Sequence, residues 1–394
     1  RAVRIPNASI FARFHKDSPS AYLDACARLI TAGGGMPAMM NDEVSMRQLS
    51  ILGITGADAV NHCFTGCAHL FVEGLQVPWR EGCVVLPRVL MGVLSTLRGV
   101  AEISYDMVME RFAAAIADAF RANREEYNAT MTAVNSRNAP DVFYSAFTGD
   151  CIERRRDHND GGARYLGVLG INLYGLGLAT DMLAALKTLV FDERRFAFDA
   201  VMAAAEADFE GHESMRQELL RRAPKFGNDI AGVDAIAARI VELAAAECVR
   251  QTPCIEDGSV MRLIFPGTAS YVAMGAETPA TPDGRHAGEP LSDSGAPMNG
   301  RDMKGLTALL NSLGAVDHSH FNGMALNVRL NAKDFSGPGG GALFRSILGA
   351  MRAKGIQELQ FNCVSTAELR EAQRKPDAHR NLLIRVAGYS DRFT

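Results

Sequence analysis

The chain has 394 residues, 47% apolar and 22% charged, with 41 basic against 45 acidic side chains. Such a chain can bury a large core, and its length suits two or three domains or one large barrel. The mixed charges leave no basic field for nucleic acid, and no apolar run of about 18 residues exists for a membrane span. In chain order, Ala8–Phe14 reads as a short strand. Ser18-Pro19-Ser20 predicts a helix N-cap with proline in the first turn, the helix carrying Leu23, Cys26 and Ile30 inward and stopping at Gly33-Gly34-Gly35. Another helix is expected from Ser45 to Gly53. The stretch 61–78 follows neither period and contains Gly66 and Gly74, so it is expected to be a loop. Helical patterns follow at about 98–121, 177–191, 197–222 and 232–249. From about 265 onward turn signals dominate, among them Thr281-Pro282-Asp283-Gly284 and Gly337-Pro338-Gly339-Gly340-Gly341. Strand-like runs stand between them at 324–330, 357–364 and 382–387. Strands interleaved with helices argue for an α/β fold with buried parallel strands.

The N-terminal Arg1-Ala2-Val3-Arg4-Ile5-Pro6 lacks the apolar core of a signal peptide, so a cytoplasmic location is expected. The eight cysteines then belong to a reducing compartment, where disulfides are rare. No C-x-x-C pair occurs, and no metal or bound cofactor is expected. His318-x-His320 has metal-pair spacing but no supporting carboxylate or cysteine nearby. A loop cysteine, Cys67 after Gly66, and a terminal Gly388-Tyr389-Ser390 are unremarkable alone.

With their flanking text they resemble one family. The ending Ile384-Arg385-Val386-Ala387-Gly388-Tyr389-Ser390-Asp391-Arg392-Phe393 is similar to the radical-bearing segment of the glycyl radical enzymes. Further segments resemble the same family in the same order. They are Asn41-Asp42-Glu43 after Gly35-Met36-Pro37-Ala38, Gly66-Cys67, and Asp150-Cys151-Ile152-Glu153-Arg154. Gly161-Gly162-Ala163-Arg164-Tyr165 and Pro224-Lys225-Phe226-Gly227-Asn228-Asp229 follow. The series ends with Ala280-Thr281-Pro282-Asp283-Gly284-Arg285, Gly288-Glu289-Pro290-Leu291 and Gln360-Phe361-Asn362.

The resemblance implies half of a ten-stranded α/β barrel with peripheral long helices, formed by the C-terminal half of such an enzyme. Residues 1–270 would be the rear part of the barrel domain, with the thiyl cysteine loop at about 61–78, and 271–394 the glycine radical domain. Gly388 would store a radical on its Cα, where the flanking amide and carbonyl delocalise it and no Cβ obstructs a flat carbon. Cys67 would become a thiyl and abstract hydrogen from substrate, a role for the neutral sulfur radical rather than the thiolate. Cys63 lacks the preceding glycine and is expected to face elsewhere.

Pyruvate formate-lyase proper uses two adjacent cysteines, whereas this chain reads Thr65-Gly66-Cys67-Ala68. It is therefore more similar to the branch of glycerol and diol dehydratases, choline and isethionate lyases and arylacetate decarboxylases. That branch usually reads Gly-Cys-Val-Glu-Pro, with the glutamate as base; here His69 and Leu70 stand in the last two places. His69 is the candidate acid–base residue and Glu73 its alternative. Arg285 and Arg385 are expected to form structural salt bridges, with orientation of backbone or an acidic substrate as the other option. Asp150, Glu153 and Arg154 look like a helix-capping cluster.

The family's chains have an N-terminal half and a short final helix that this sequence lacks, which suggests a fragment, a truncated product or one piece of a split enzyme. The expected activity is that of a glycyl radical lyase or dehydratase acting on a small polar substrate. An activating enzyme using S-adenosylmethionine and an iron–sulfur cluster would install the radical. A homodimer is expected at full length, with the N-terminal half possible as a separate chain. The alternatives are carbon–carbon chemistry, of the formate acyltransferase or arylacetate decarboxylase kind, and a truncated non-catalytic paralogue.

Overall fold

The computed structural model describes residues 10–33, 35–66, 68–77, 80–133, 139–252, 259–335, 337–385, 388 and 390–392. The strands among them are, in chain order, β1 (Phe11–Phe14), β2 (Ala38–Asn41), β3 (Cys63–Thr65), β4 (His69–Phe71), β5 (Arg80–Val85) and β6 (Val168–Tyr174). They continue as β7 (Val260–Phe265), β8 (Phe321–Met324), β9 (Asn327–Arg329), β10 (Glu358–Asn362), β11 (Leu383–Arg385) and β12 (Ser390–Arg392). The main sheet runs β3-β4-β8-β7-β6-β5, and its β5 to β8 part is entirely parallel. A four-stranded sheet, β1-β2-β10-β9, lies beside it, and β11 pairs with β12. This is the expected α/β fold with long peripheral helices.

Alternation along the parallel strands explains the layering. Val84, Leu169, Ile171, Leu173, Met261, Leu263 and Phe265 belong to one apolar cluster, shared with the helices Tyr105–Ala133, Leu176–Ala185 and Ala231–Arg250. The register aligns Glu81 with Gly170 and Cys83 with Asn172, so the opposite face of the sheet is polar. At the outer edge of β5, the Asn123 amide accepts from the Cys83 N–H at 2.8 Å and donates to its carbonyl at 3.2 Å. A side chain thus satisfies backbone groups that a strand would otherwise hold.

Several expectations need correction. The 61–78 loop contains the β3–β4 hairpin, possible because Gly66 and Ala68 both take positive φ (52° and 70°). The helix expected at 98–121 is Tyr105–Ala133. The one expected over 197–222 is two, Phe198–Glu206 and Glu213–Arg221, broken where Asp208, Phe209 and Gly211 enter the left-handed region. The 324–330 run is not one strand: β8 ends at Met324 in the main sheet and β9 starts at Asn327 in the other. Pro19, not Ser18, stands at the N-cap of helix Ser20–Thr31, while the Ser18 hydroxyl accepts from the His15 N–H.

The polar clusters also differ. Asp150 does not cap its helix; it sits at φ 72° and pairs with Arg154 and Arg164. Among the described residues Arg285 forms no ion pair; it is fully buried and donates to the carbonyls of Gly275, Pro279 and Glu289. Arg301 plays the ionic role instead, bridging the buried carboxylates of Asp181 and Asp283. Burial pushes Asp181 up to about 6 against the pull of Arg301 and Lys225. Removing the cation strands both acids in the core. Arg301→Met is therefore expected to cost about 3–5 kcal/mol in urea unfolding, and Asp181→Asn in the same background to recover part of it.

Candidate active site

The hairpin β3–β4 carries the residues singled out around Gly66. Phe64 and Leu70 sit opposite each other and enter a second apolar cluster with Met40, Leu49, Ile54 and Ala59. By alternation Thr65 and His69, the next pair, point to the other face. Cys67, in the middle of the three-residue connection, lies outside the described residues. Cys63 is at the base of the hairpin, its thiol 3.6 Å from the Phe71 carbonyl and its acidity weakened by burial.

His69 pairs with Gly323 of β8. A Cβ on Gly323 would come within 2.7 Å of the imidazole Cδ2, so only glycine lets the ring lie across the strand. The ring is buried, and desolvation pushes it down to about 4, with the Glu81 charge pulling the other way. It is uncharged at neutral pH. Glu81 accepts from the Asn172 amide at 3.1 Å. Its charge also acts on Tyr174, whose hydroxyl is 3.5 Å from Thr268. Glu73 is exposed in the turn after β4, and its charge reaches Cys63 and Tyr144. It belongs to the hairpin's base.

Gly388 is buried, and its N–H donates to the carbonyl of Gly267, just past the end of β7. A Cβ added to Gly267 would meet Gly388 N at 2.7 Å, Gly388 Cα at 2.9 Å and the Ala325 methyl as well. Ala325 is two residues beyond Gly323, the partner of His69. The hairpin and the glycine therefore address neighbouring positions at the end of β8, roughly 7 Å apart at the usual strand rise. Arg385 holds the other side of Gly388, its Nη2 donating to the Gly388 carbonyl at 2.9 Å. Like Arg285, it donates to carbonyl and amide oxygens.

His318, by contrast, is structural: Nε2 donates to the Leu313 carbonyl at 3.0 Å and Nδ1 accepts from the Gln357 N–H at 3.3 Å. His320 is its half-exposed neighbour, 3.7 Å from Asp317. The sequence reasoning missed Glu81, Asn172 and Tyr174, because it missed the strands that carry them. Alternation of Leu169, Ile171 and Leu173 was the available signal.

Family comparison decides the relationship. The description Pyruvate formate lyase-like matches residues 1–275 and Glycine radical matches residues 291–394. The chain belongs to the glycyl radical enzyme family. It is 33% identical over 420 residues to the Escherichia coli (strain K12) protein named "Probable dehydratase YbiW", covering 99% of this chain and 51% of that protein. It is 29% identical over 415 residues to the (2S)-3-sulfopropanediol dehydratase of Klebsiella oxytoca, covering 99% and 49%. Among solved structures it superposes on the glycerol-bound B12-independent glycerol dehydratase from Clostridium butyricum with a TM-score of 0.93 and 28% identity, covering 99% of this chain and 51% of that one. The chain thus spans about half the length of the relatives it matches, and the main sheet with its helices is half of a glycyl radical enzyme barrel.

The contact between Gly267 and Gly388 leaves no room for a methyl group. Gly267→Ala is expected to displace the Gly388 loop, read as several-fold faster hydrogen exchange in segment 383–392 with the exchange of β6 and β7 unchanged.

Proposed function

We propose that this chain supplies the radical-bearing half of a glycyl radical lyase of the dehydratase kind, divided near residue 270 into a barrel part and a glycine part. Gly388 stores the radical, Cys67 is the thiyl, and His69 handles the proton. The observation that carries the reading is the convergence at the end of β8, where Gly388 rests on Gly267 beside Ala325 and His69 lies across Gly323. The dehydratase names of the relatives favour elimination over carbon–carbon chemistry.

The substrate class is a small molecule with a hydroxyl on one carbon and a leaving group on the next. The Cys67 thiyl takes a hydrogen atom from the hydroxyl-bearing carbon, forming S–H and a carbon radical. That radical makes its own hydroxyl more acidic, and the uncharged imidazole of His69 accepts the proton. The Glu81 charge favours the imidazolium that results. The neighbouring C–X bond then breaks, X leaving with the bonding pair as anion or, once protonated, as water. The remaining oxygen-stabilised radical recovers hydrogen from the Cys67 S–H and regenerates the thiyl. Electrons balance without an external oxidant. An activating enzyme that removes one hydrogen atom from Gly388 is the required partner, and an S-adenosylmethionine and iron–sulfur enzyme supplies that chemistry.

Anaerobic activation of the full-length protein, followed by electron paramagnetic resonance, tests the assignment. A doublet is expected in the parent and in Cys67→Ser, without turnover in the latter, and none in Gly388→Ala. His69→Gln should keep the doublet and lose about 100- to 10,000-fold in kcat. A doublet that persists in Gly388→Ala overturns the reading, and release of carbon dioxide or formate would move it to the carbon–carbon branch.

A further inference from the structure

Strand β10 presents Glu358, Gln360 and Asn362 at alternate positions, with Leu359 and Phe361 turned into the apolar core between them. Asn362 brackets the Arg385 backbone, accepting from its N–H at 2.7 Å and donating to its carbonyl at 2.8 Å. Gln360 accepts from Arg385 Nε. The guanidinium then reaches the Gly388 carbonyl and, at 3.3 Å, the Ser390 hydroxyl. Glu358 ends this row. One of its oxygens accepts from the Leu326 N–H, and the other is buried with no hydrogen-bond partner among the described residues. Asp293 repeats the pattern, with Oδ2 accepting from the Asn327 amide at 3.0 Å and Oδ1 buried and without a partner among the described residues. Asn327 is the register partner of Gln360, so the two acids flank the same strand end.

We propose that Glu358 and Asp293 are positioning residues for the Gly388 loop: as an uncharged pair they leave the Arg385 guanidinium to the Gly388 carbonyl. The catalytic meaning rests on the function proposed for Gly388, whereas the loop's position does not. Among the described residues neither acid has the second donor that an ionised carboxylate in the interior needs. Desolvation pushes Glu358 up to about 8 and Asp293 up to about 7. The groups facing Glu358 are few. Met40 stands opposite on β2, the Leu326 N–H comes from beside β9, and Arg385 and Asp293 are the charges that act on it, Arg385 favouring ionisation and Asp293 opposing it.

The sign follows. A carboxyl whose folded value lies above its unfolded one stays protonated in the fold while the unfolded chain has already lost the proton. The stability it confers is lost as pH rises toward 8. Ionisation of Glu358, on which the Arg385 charge already acts, also sets a carboxylate in competition with the Gly388 carbonyl for that guanidinium, so the loop loosens in alkali.

Hydrogen exchange of segment 383–392 in the full-length protein, corrected for the intrinsic pH dependence of amide exchange, reads this without any radical. Exchange is expected to rise about tenfold between about pH 6.5 and about pH 9, with its midpoint between about 7 and about 8. Glu358→Gln with Asp293→Asn should abolish the rise, since glutamine keeps an oxygen for the Leu326 N–H. Asp293→Asn alone removes the repulsion and should move the remaining midpoint down. A flat parent profile, an equal rise in the double variant, or an unmoved midpoint in Asp293→Asn overturns the proposal. Loss of the resonance assignment of Gly388 would leave these outcomes unchanged, so the two failures are distinguishable.

Discussion

Two backbones touching at Gly267 and Gly388 is the constraint on which the candidate site depends. Gly267 follows β7, a central strand buried between β6 and β8 and bonded on both sides, so its position is set by the sheet. The last described segment reaches that point only because Gly267 carries no side chain there. Sterics act from the β7 side and hydrogen bonds from the β10 side, through Asn362, Gln360 and Arg385. Such double restraint would suit the radical proposed for Gly388, because burial keeps out reactive small molecules while the contact limits how far the carbon can wander.

Arg301, Arg285 and Arg385 divide the work by partner. Arg301 neutralises two core carboxylates, and its removal exposes their charge to a medium that cannot solvate it. Arg285 and Arg385 instead point planar donors at oxygens of turns. A guanidinium keeps its proton under these conditions, so its own titration does not loosen such an arrangement. The pH sensitivity of the glycine loop must then come from the acids beside Arg385, not from Arg385 itself.

Helices with an apolar stripe were legible in the sequence, and Ala231–Arg250 lies almost where its periodicity puts it. The barrel strands were not. In Val168–Tyr174 the core-facing residues are Leu169, Ile171 and Leu173, but Val168 is also buried and Gly170 and Asn172 are poor strand formers, which blurs the period of two. Phe209 at φ 61° breaks a helix where nothing in its chemistry announces it. Gly388, Cys67 and His69 were named from resemblance to a family, not from any period. Glu81 and Tyr174 were missed because a residue's face is knowable only once its strand is.

The two parts of the site rest on different cores, and β2 is the wall between them. Met39 packs in the main cluster while Ala38 and Met40 pack under the hairpin, as successive strand residues must. The same strand pairs with β10 through Met39 and Met40, opposite Leu359 and Glu358. The hairpin is thus seated on one face of a two-strand unit whose other member presents Gln360 and Asn362 to Arg385 and so grips the Gly388 loop. A shift of the β2–β10 pair as a unit would move the His69 end and the Gly388 end together, whereas a repacking of either core alone would move only one. The proposed radical transfer between loop and hairpin would tolerate common motion and not relative motion, so the shared strand pair, more than either core, is what links their positions.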